Sequence, residues 1–293
     1  MTATSLADAS VFYAELTRRN AGVVTPADQD MLASANVLVA GCGSIGGAAV
    51  EPLARLGVQH LTLADPGEYE LNNLNRQNAT LADVGRNKAE VAADRVRAIN
   101  PSAHVAAFSE GVTPATVERL TESCDAIVDG VDVTTQAGLR AKFLLHQHAH
   151  RLRLPLVTGW DMAGAQYVRC YDYRVVRRVF DGQLTAADLD QLGMWQLLKR
   201  MVPVRFVPLE MVRLASSNLR NPDFSFPQLV YAADLFGAIA AHVVAQLLTG
   251  QPVRKHIYVD LYQQVRPAAP RWSARVRRPL LMASALAKLM KAS

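Results

Sequence analysis

Only three cysteines occur in the 293 residues, Cys42, Cys124 and Cys170, and no two of them are spaced as Cys-x-x-Cys. That excludes a disulfide framework and leaves no means of building a four-thiolate zinc site. A basic stretch followed by an apolar one is missing from the opening MTATSLADAS. No uncharged apolar run reaches the roughly 20 residues that span a bilayer. These absences predict a reducing, cytoplasmic setting. Acid is absent from Gln264 onward, where seven Lys or Arg lie, while the preceding residues hold 24 basic against 26 acidic, a formal charge of −2. The net charge of +5 is therefore a property of the tail and makes no general case for nucleic acid. Internal repeats and low-complexity linkers are also lacking, so a chain that is 50% hydrophobic can bury a substantial core.

Two helical stretches open the chain, Asp8–Arg19 and Pro26–Leu32, the second with Thr25 as N-cap before a proline at the first helical position. Short apolar runs at Asn36–Ala40, His60–Ala64, His104–Phe108, Ala126–Asp129 and Pro155–Thr158 read as strands. Helical patterns lie between them at Ser44–Leu56, Asn87–Ile99, Pro114–Leu120 and Thr135–His150. Such alternation predicts parallel strands joined by right-handed crossovers, an α/β Rossmann-like sheet with helices on both faces. After Gly159 the rhythm changes. Gln166–Tyr173 alternates like a strand with one exposed face, which makes the second part of the sheet an antiparallel extension. Ala186–Arg200 reads as a helix, and Met201–Phe226, with three prolines, as irregular. A long apolar helix at Leu229–Leu248 stops at Gly250, and Lys255–Asp260 is the last strand. The organisation is a helical segment at 1–34, one integrated domain at 35–263 carrying a loop-rich insertion at 171–226, and a basic tail at 264–293.

Gly41-Cys-Gly43-Ser44-Ile-Gly46-Gly47 follows a strand and opens a helix, so backbone N–H groups can meet phosphates at a positive helix end. Asp65 ends the next strand, nineteen residues after Gly46, where a carboxylate can accept ribose hydroxyl protons. This pair fits a dinucleotide and ATP equally. The following residues separate the two. Asn72-Asn73-Leu-Asn75-Arg76-Gln77 and Gly85-Arg86-Asn87-Lys88 bring an arginine and a lysine to the phosphate side. Hydride transfer has no use for them, whereas expulsion of pyrophosphate does. Asp129-Gly-Val-Asp132 ends the fourth strand at the same edge, where a carboxylate can hold Mg²⁺ between phosphates.

From Val37 to about Gly159 these motifs, with INPSAHV at 99–105, resemble the ThiF/MoeB/HesA superfamily, relatives of the ubiquitin-activating enzymes. The apolar helix and HIYVD at 256–260 resemble its closing elements, and the likeness is thin between 171 and 226. The resemblance implies an adenylyltransferase that joins a carboxylate to AMP from ATP. It implies nucleotide contacts from Gly41, Gly43, Ser44, Gly46, Asp65, Asn73, Arg76, Gln77 and Lys88, with Asp132 as the magnesium-linked acid. It further implies an arginine given by the partner subunit of a homodimer, here Arg19 in preference to Arg18. The chain departs from the family by lacking its structural-zinc cysteines, as the TcdA-like branch does, and by Val131 and Val133 flanking Asp132. The implied substrate is a peptide, a small carrier protein or a tRNA nucleoside, with specificity expected at 171–226 around Trp195, Arg205 and Phe206. A peptide-modifying or dehydrating role fits the missing zinc and thiol best.

Plainer readings stand beside these. Arg76 and Lys88 also suit solvated charges, and Asp129 a strand-end cap. Cys170 and Cys42 read as buried or packing thiols, and His146, His148 and His150 as a solvated helix face rather than a metal cluster. The segment Arg275–Lys291 reads as a basic amphipathic helix that packs on its own dimer, docks on a peptide or touches an anionic membrane surface. Two other functional classes stay open: an NAD(P)-dependent oxidoreductase, and a scaffold that keeps the fold without adenylation.

Overall fold

The computed structural model describes residues 8–218, 221, 226–268, 272, 276–277 and 279–280. Helix α1 (Ala9–Thr17) opens at Asp8, whose carboxylate accepts from the Ser10 and Val11 N–H groups at 2.9 and 3.3 Å. Helix α2 (Pro26–Ser34) opens at Thr25, which accepts from Asp28 N–H at 3.1 Å. Parallel strands β1 (Asn36–Ala40), β2 (His60–Ala64), β3 (His104–Phe108), β4 (Ala126–Asp129) and β5 (Pro155–Met162) follow. They are joined by α3 (Gly46–Leu56), α4 (Lys88–Ile99), α5 (Val117–Thr121) and α6 (Gln136–Leu152). Antiparallel β6 (Ala165–Asp172) and β7 (His256–Asp260) complete a seven-stranded sheet in the order β3-β2-β1-β4-β5-β6-β7. The chain steps outward in one direction from β1 to β3 and in the other from β4, so the crevice of an open α/β sheet falls between β1 and β4.

One core lies on each face. Leu53, Ala93, Val128 and Phe236 belong to the first; Leu38, Ile127, Phe143, Tyr167 and Phe180 belong to the second. Helix α10 (Val230–Leu248) is apolar and long enough to cross a membrane by composition, but Phe236, Ala240, Val244 and Leu247 are buried in the first core against α3 and β5. It is the central core helix.

Four expectations need correcting. β5 continues through Gly159 to Met162, because the Phe236 ring and the Gln166 amide occupy the space that a Cβ at 159 would take, at 2.3 and 2.5 Å. β6 has no exposed face: Gln166 and Arg169 are 0% and 1% exposed, so its polar alternation marks buried hydrogen bonds rather than water. The 186–200 helix is broken at Gly193 into α7 (Ala186–Gln191) and α8 (Met194–Met201). The stretch expected to be irregular contains α9 (Leu209–Asn218), with Pro203 and Pro208 ahead of it, where their missing N–H groups cost nothing. Phe180, Leu189, Leu197 and Met211 from this region enter the second core. The short α11 (Leu261–Val265) follows β7, and the amphipathic pattern at 281–293 lies outside the described residues.

Candidate nucleotide site

Gly41 leaves β1 with φ of +84°, between Ala64 O, which accepts its N–H at 2.7 Å, and Gly130, whose carbonyl is 2.3 Å from where a Cβ would stand. Gly46 starts α3 so close to the turn that a Cβ would be 1.9 Å from Gly41 O. Gly43 differs. Its Cβ would meet nothing nearer than Gln77 Nε2 at 3.8 Å, so this chain's own packing does not demand a glycine there. A nucleotide backed against the loop would demand one. Gly43→Ala should therefore shift unfolding by no more than about 0.5 kcal/mol and weaken ATP binding by roughly tenfold or more, about 1.4 kcal/mol. Gly46→Ala should melt far lower. Thermal melts beside nucleotide titrations check this, and intact ATP affinity in Gly43→Ala would remove the loop from the site.

Asp65 lies one strand over, 8% exposed, with Oδ2 accepting from Cys42 N–H at 2.6 Å and Oδ1 from Gly67 N–H at 2.7 Å. Burial raises its pKa, opposed by those two N–H groups and by the nearby Lys88 charge, while Asp132 adds to the rise. Each oxygen keeps a second lone pair for a ribose hydroxyl. Asn87 caps α4 by accepting from Ala89 and Glu90 N–H at 2.9 and 3.2 Å, and its amide donates to Asp65 O at 2.9 Å. Lys88, the first residue of α4, is thereby fixed beside Asp65. It is half-buried and in no ion pair among the described residues. Arg86, by contrast, is exposed and held by Asp83 and Asp94 at 3.3 and 2.6 Å.

Asn73 is buried and builds the turn that presents Arg76 and Gln77: its carbonyl accepts their N–H groups at 3.1 and 2.9 Å, and its Oδ1 accepts from Glu70 N–H at 3.3 Å. Arg76 Nη1 donates to Asn72 O at 3.1 Å and Asn75 Oδ1 at 2.8 Å. Arg76 Nε and Gln77 Oε1 are buried with no hydrogen-bond partner among the described residues. Polar atoms orphaned in this way fit a polar ligand across the loop. The solvated-charge reading of Arg76 and Lys88 does not describe these half-buried side chains. Asp132, exposed on the loop after β4, accepts from Thr134 N–H at 2.9 Å and Thr134 Oγ1 at 2.7 Å, with lone pairs to spare. Arg19 is exposed on the 3₁₀ turn Arg18–Asn20, while Arg18 pairs with Glu15 at 3.2 Å.

Asp129 is more than a strand cap. It is 0% exposed, and its Oδ2 meets Lys142 Nζ at 2.5 Å and His146 Nε2 at 3.0 Å, while Oδ1 accepts from Val131 N–H at 3.1 Å. Phe180 N–H donates to the Tyr173 hydroxyl at 3.1 Å, and that hydroxyl lies 2.7 Å from His146 Nδ1. In a neutral His146 whose Nε2–H points to Asp129, Nδ1 accepts the hydroxyl's proton. Burial lowers its pKa against the pull of Asp129. His146 therefore faces the core and not solvent, and both its nitrogens are committed. The three thiols are buried; burial pushes Cys170 and Cys124 up to about 12 and raises Cys42 as well.

Sequence reasoning missed Asp161, near the end of β5, because it stopped that strand at Thr158. The carboxylate is 8% exposed, Oδ2 has no partner among the described residues, and its pKa is pushed up to about 7 by burial, against the Ser44 hydroxyl and the Arg76 charge. The available signal was an acid on an apolar strand at the carboxyl edge of a parallel sheet, where ligands bind.

Over 136 residues the chain is 37% identical to the tRNA threonylcarbamoyladenosine dehydratase of Escherichia coli, a match covering 46% of this chain and 49% of that one. It is 34% identical over 137 residues to the SAMP-activating enzyme E1 of Haloferax volcanii, with coverage of 46% and 49%. The chain thus spans about half the length of these curated relatives. Among solved structures, PaaA superposes with a TM-score of 0.61 at 21% identity, covering 89% of this chain and 81% of that one. E. coli TcdA in complex with ATP superposes with 0.57 at 24% identity, covering 81% and 95%. These likenesses show a shared fold. The ThiF family pattern matches residues 17–255, from the end of α1 to the edge of β7 and so across the loop, Asp65, Arg76, Lys88 and Asp132; the chain belongs to the ThiF family.

Proposed function

We propose that this protein activates a carboxylate by adenylation. A carboxylate oxygen attacks the α-phosphorus of ATP, an acyl adenylate forms and pyrophosphate leaves. One observation carries the reading: two half-buried cations, Lys88 whose charge acts on Asp65 and Arg76 whose charge acts on Asp161, neither in an ion pair among the described residues, accompany a loop whose Gly43 faces only Gln77. The attacking carboxylate is already ionised at neutral pH, so the first step needs alignment and charge stabilisation more than a base. Asp65 takes the ribose, the loop N–H groups and Asn73-built turn take the phosphates, and Arg76 and Lys88 neutralise the departing charge. Mg²⁺ carried on the nucleotide would supply further neutralisation, and Asp132 would be the residue to hold it. A magnesium ion on phosphates needs only one or two carboxylates.

A homodimer in which the exposed Arg19 reaches the partner's phosphates extends the same charge logic. The acyl substrate belongs to a peptide, a small carrier protein or a modified tRNA nucleoside. Relatives are named for SAMP activation, for a sulfur carrier protein in Thermus thermophilus and for tRNA threonylcarbamoyladenosine. Since no described cysteine is exposed or acidified, the nucleophile that resolves the adenylate comes from the substrate or another protein.

ATP–pyrophosphate exchange with a panel of peptides, carrier proteins and modified tRNA tests the reading. Exchange is expected with one class, reduced by roughly 10²-fold in Asp132→Ala. Binding of reduced NAD without exchange would favour the oxidoreductase. ATP binding without exchange for any member would leave a scaffold.

A further inference from the structure

Asp161 has no task in the first step. Its carboxylate is more than nine-tenths buried, yet sits beside Ser44 of the phosphate loop and within the field of the Arg76 charge. It is held in place from behind. With the buried Gln166 amide turned to satisfy both ends, its nitrogen donates to Asp161 Oδ1 at 2.5 Å and Ala232 O at 3.1 Å, and its oxygen accepts from Trp160 N–H at 3.2 Å. One oxygen is thus pinned by β6 and α10, while Oδ2 has no partner among the described residues. A buried acceptor left open beside the phosphate loop is a cost unless something donates to it.

We propose that Asp161 is the catalytic base of the second step, accepting the proton of a neutral amine, amide or alcohol that attacks the acyl adenylate. This rests on the adenylation reading and names its acceptor class. The bond from nucleophile nitrogen or oxygen to the acyl carbon forms. The bond from that carbon to the phosphate oxygen breaks, AMP leaves with the electron pair, and the nucleophile's proton passes to Oδ2. The acyl carbon is one oxygen from the α-phosphorus, and on the adenylation reading the loop that carries Ser44, next to Asp161, holds the phosphates, which puts the open carboxylate oxygen toward the reacting end of the nucleotide. During the first step the triphosphate and the incoming carboxylate favour the protonated acid. Loss of pyrophosphate removes that negative charge and lets Asp161 ionise. A thiolate acceptor would need no such base, because it arrives without its proton.

Chemically prepared acetyl adenylate tests this without ATP cleavage. AMP release is followed with glycinamide and, separately, with mercaptoethanol as nucleophile, for the full chain and for Asp161→Asn. The variant should be slower with glycinamide by roughly 10²-fold, and this deficit should exceed its deficit with the thiol at least tenfold. The ratio of wild-type to variant rate with glycinamide should climb as pH rises through about 7, the range in which the buried acid ionises. Equal deficits with both nucleophiles, a ratio independent of pH, or no acceleration by the wild-type chain would overturn the proposal. Failure of the adenylation reading looks different: no ATP–pyrophosphate exchange, with glycinamide-dependent turnover of acetyl adenylate intact.

Discussion

Arg76→Ala is expected to lower ATP–pyrophosphate exchange by about 10²- to 10³-fold, a rise of roughly 3–4 kcal/mol in the barrier, with the protein still folded. The guanidinium is braced by Asn72 O and Asn75 Oδ1 on one nitrogen, which fixes the fork without consuming it, and Nε stays buried with no partner among the described residues. Charge grows on the leaving pyrophosphate in the transition state, so removing a pre-set donor should cost kcat more than the KM for ATP. Structurally the substitution removes two hydrogen bonds to the side chain's own turn, worth about 1 kcal/mol each. Arg76→Lys should recover little, since a point charge on a flexible stem replaces neither the fork nor its brace. Lys88→Ala should behave like Arg76→Ala. Exchange at the wild-type rate in Arg76→Ala would remove the arginine from the chemistry, and loss of folding would make its role structural.

The parallel half was legible because its signals are local. Thr25 caps its helix as its sequence position predicts, the 87–99 pattern forms α4, and β1 and β2 are apolar runs closed by turn residues. The loop glycines, Asp65, Arg76 and Lys88 follow from that frame, because a strand, a glycine turn and a helix bring them to one edge. What stayed hidden depends on distant partners. Gly159 reads as a strand end, yet it lies inside β5 because Phe236 from α10 fills its empty side. That misreading concealed Asp161. Lys142 and His146 are four apart on α6, on the same face as Leu139, Phe143 and Ala149, so a polar pair lies within an apolar stripe. Spacing exposes that anomaly, but its partner Asp129 enters only through topology. Between 201 and 226 the prolines suggested irregular chain, and helical propensity between them, as in Leu209–Asn218, was the overlooked signal.

Lys142→Met should cost about 3–5 kcal/mol at neutral pH, the usual result of stranding one charge of a buried pair. The ammonium is 3% exposed, 2.5 Å from Asp129 Oδ2 and 2.9 Å from Thr158 Oγ1, and methionine fills its volume without its charge. Burial alone would raise the Asp129 carboxyl; Lys142 first, then His146, outweigh it and hold the pKa below the usual carboxylate range. A lowered acid stabilises the fold above its unfolded pKa of about 3.9, and that contribution is lost as pH falls through the lowered value. His146, kept neutral, adds a loss of the same sign, because the unfolded imidazole begins to take a proton near pH 6.5 while the folded one does not. Wild-type stability should therefore fall on acidification. In Lys142→Met the sign for Asp129 reverses: without its cation the buried carboxyl is raised, and protonating it relieves the stranded charge. The gap between wild type and variant should be widest near pH 7 and narrow toward pH 5, read by denaturant unfolding at both. Because Asp129 Oδ1 also holds Val131 N–H, next to Asp132, the same substitution should depress exchange through the loop that carries Asp132. A variant as stable as wild type at neutral pH would mean that Asp129 is uncharged in the fold.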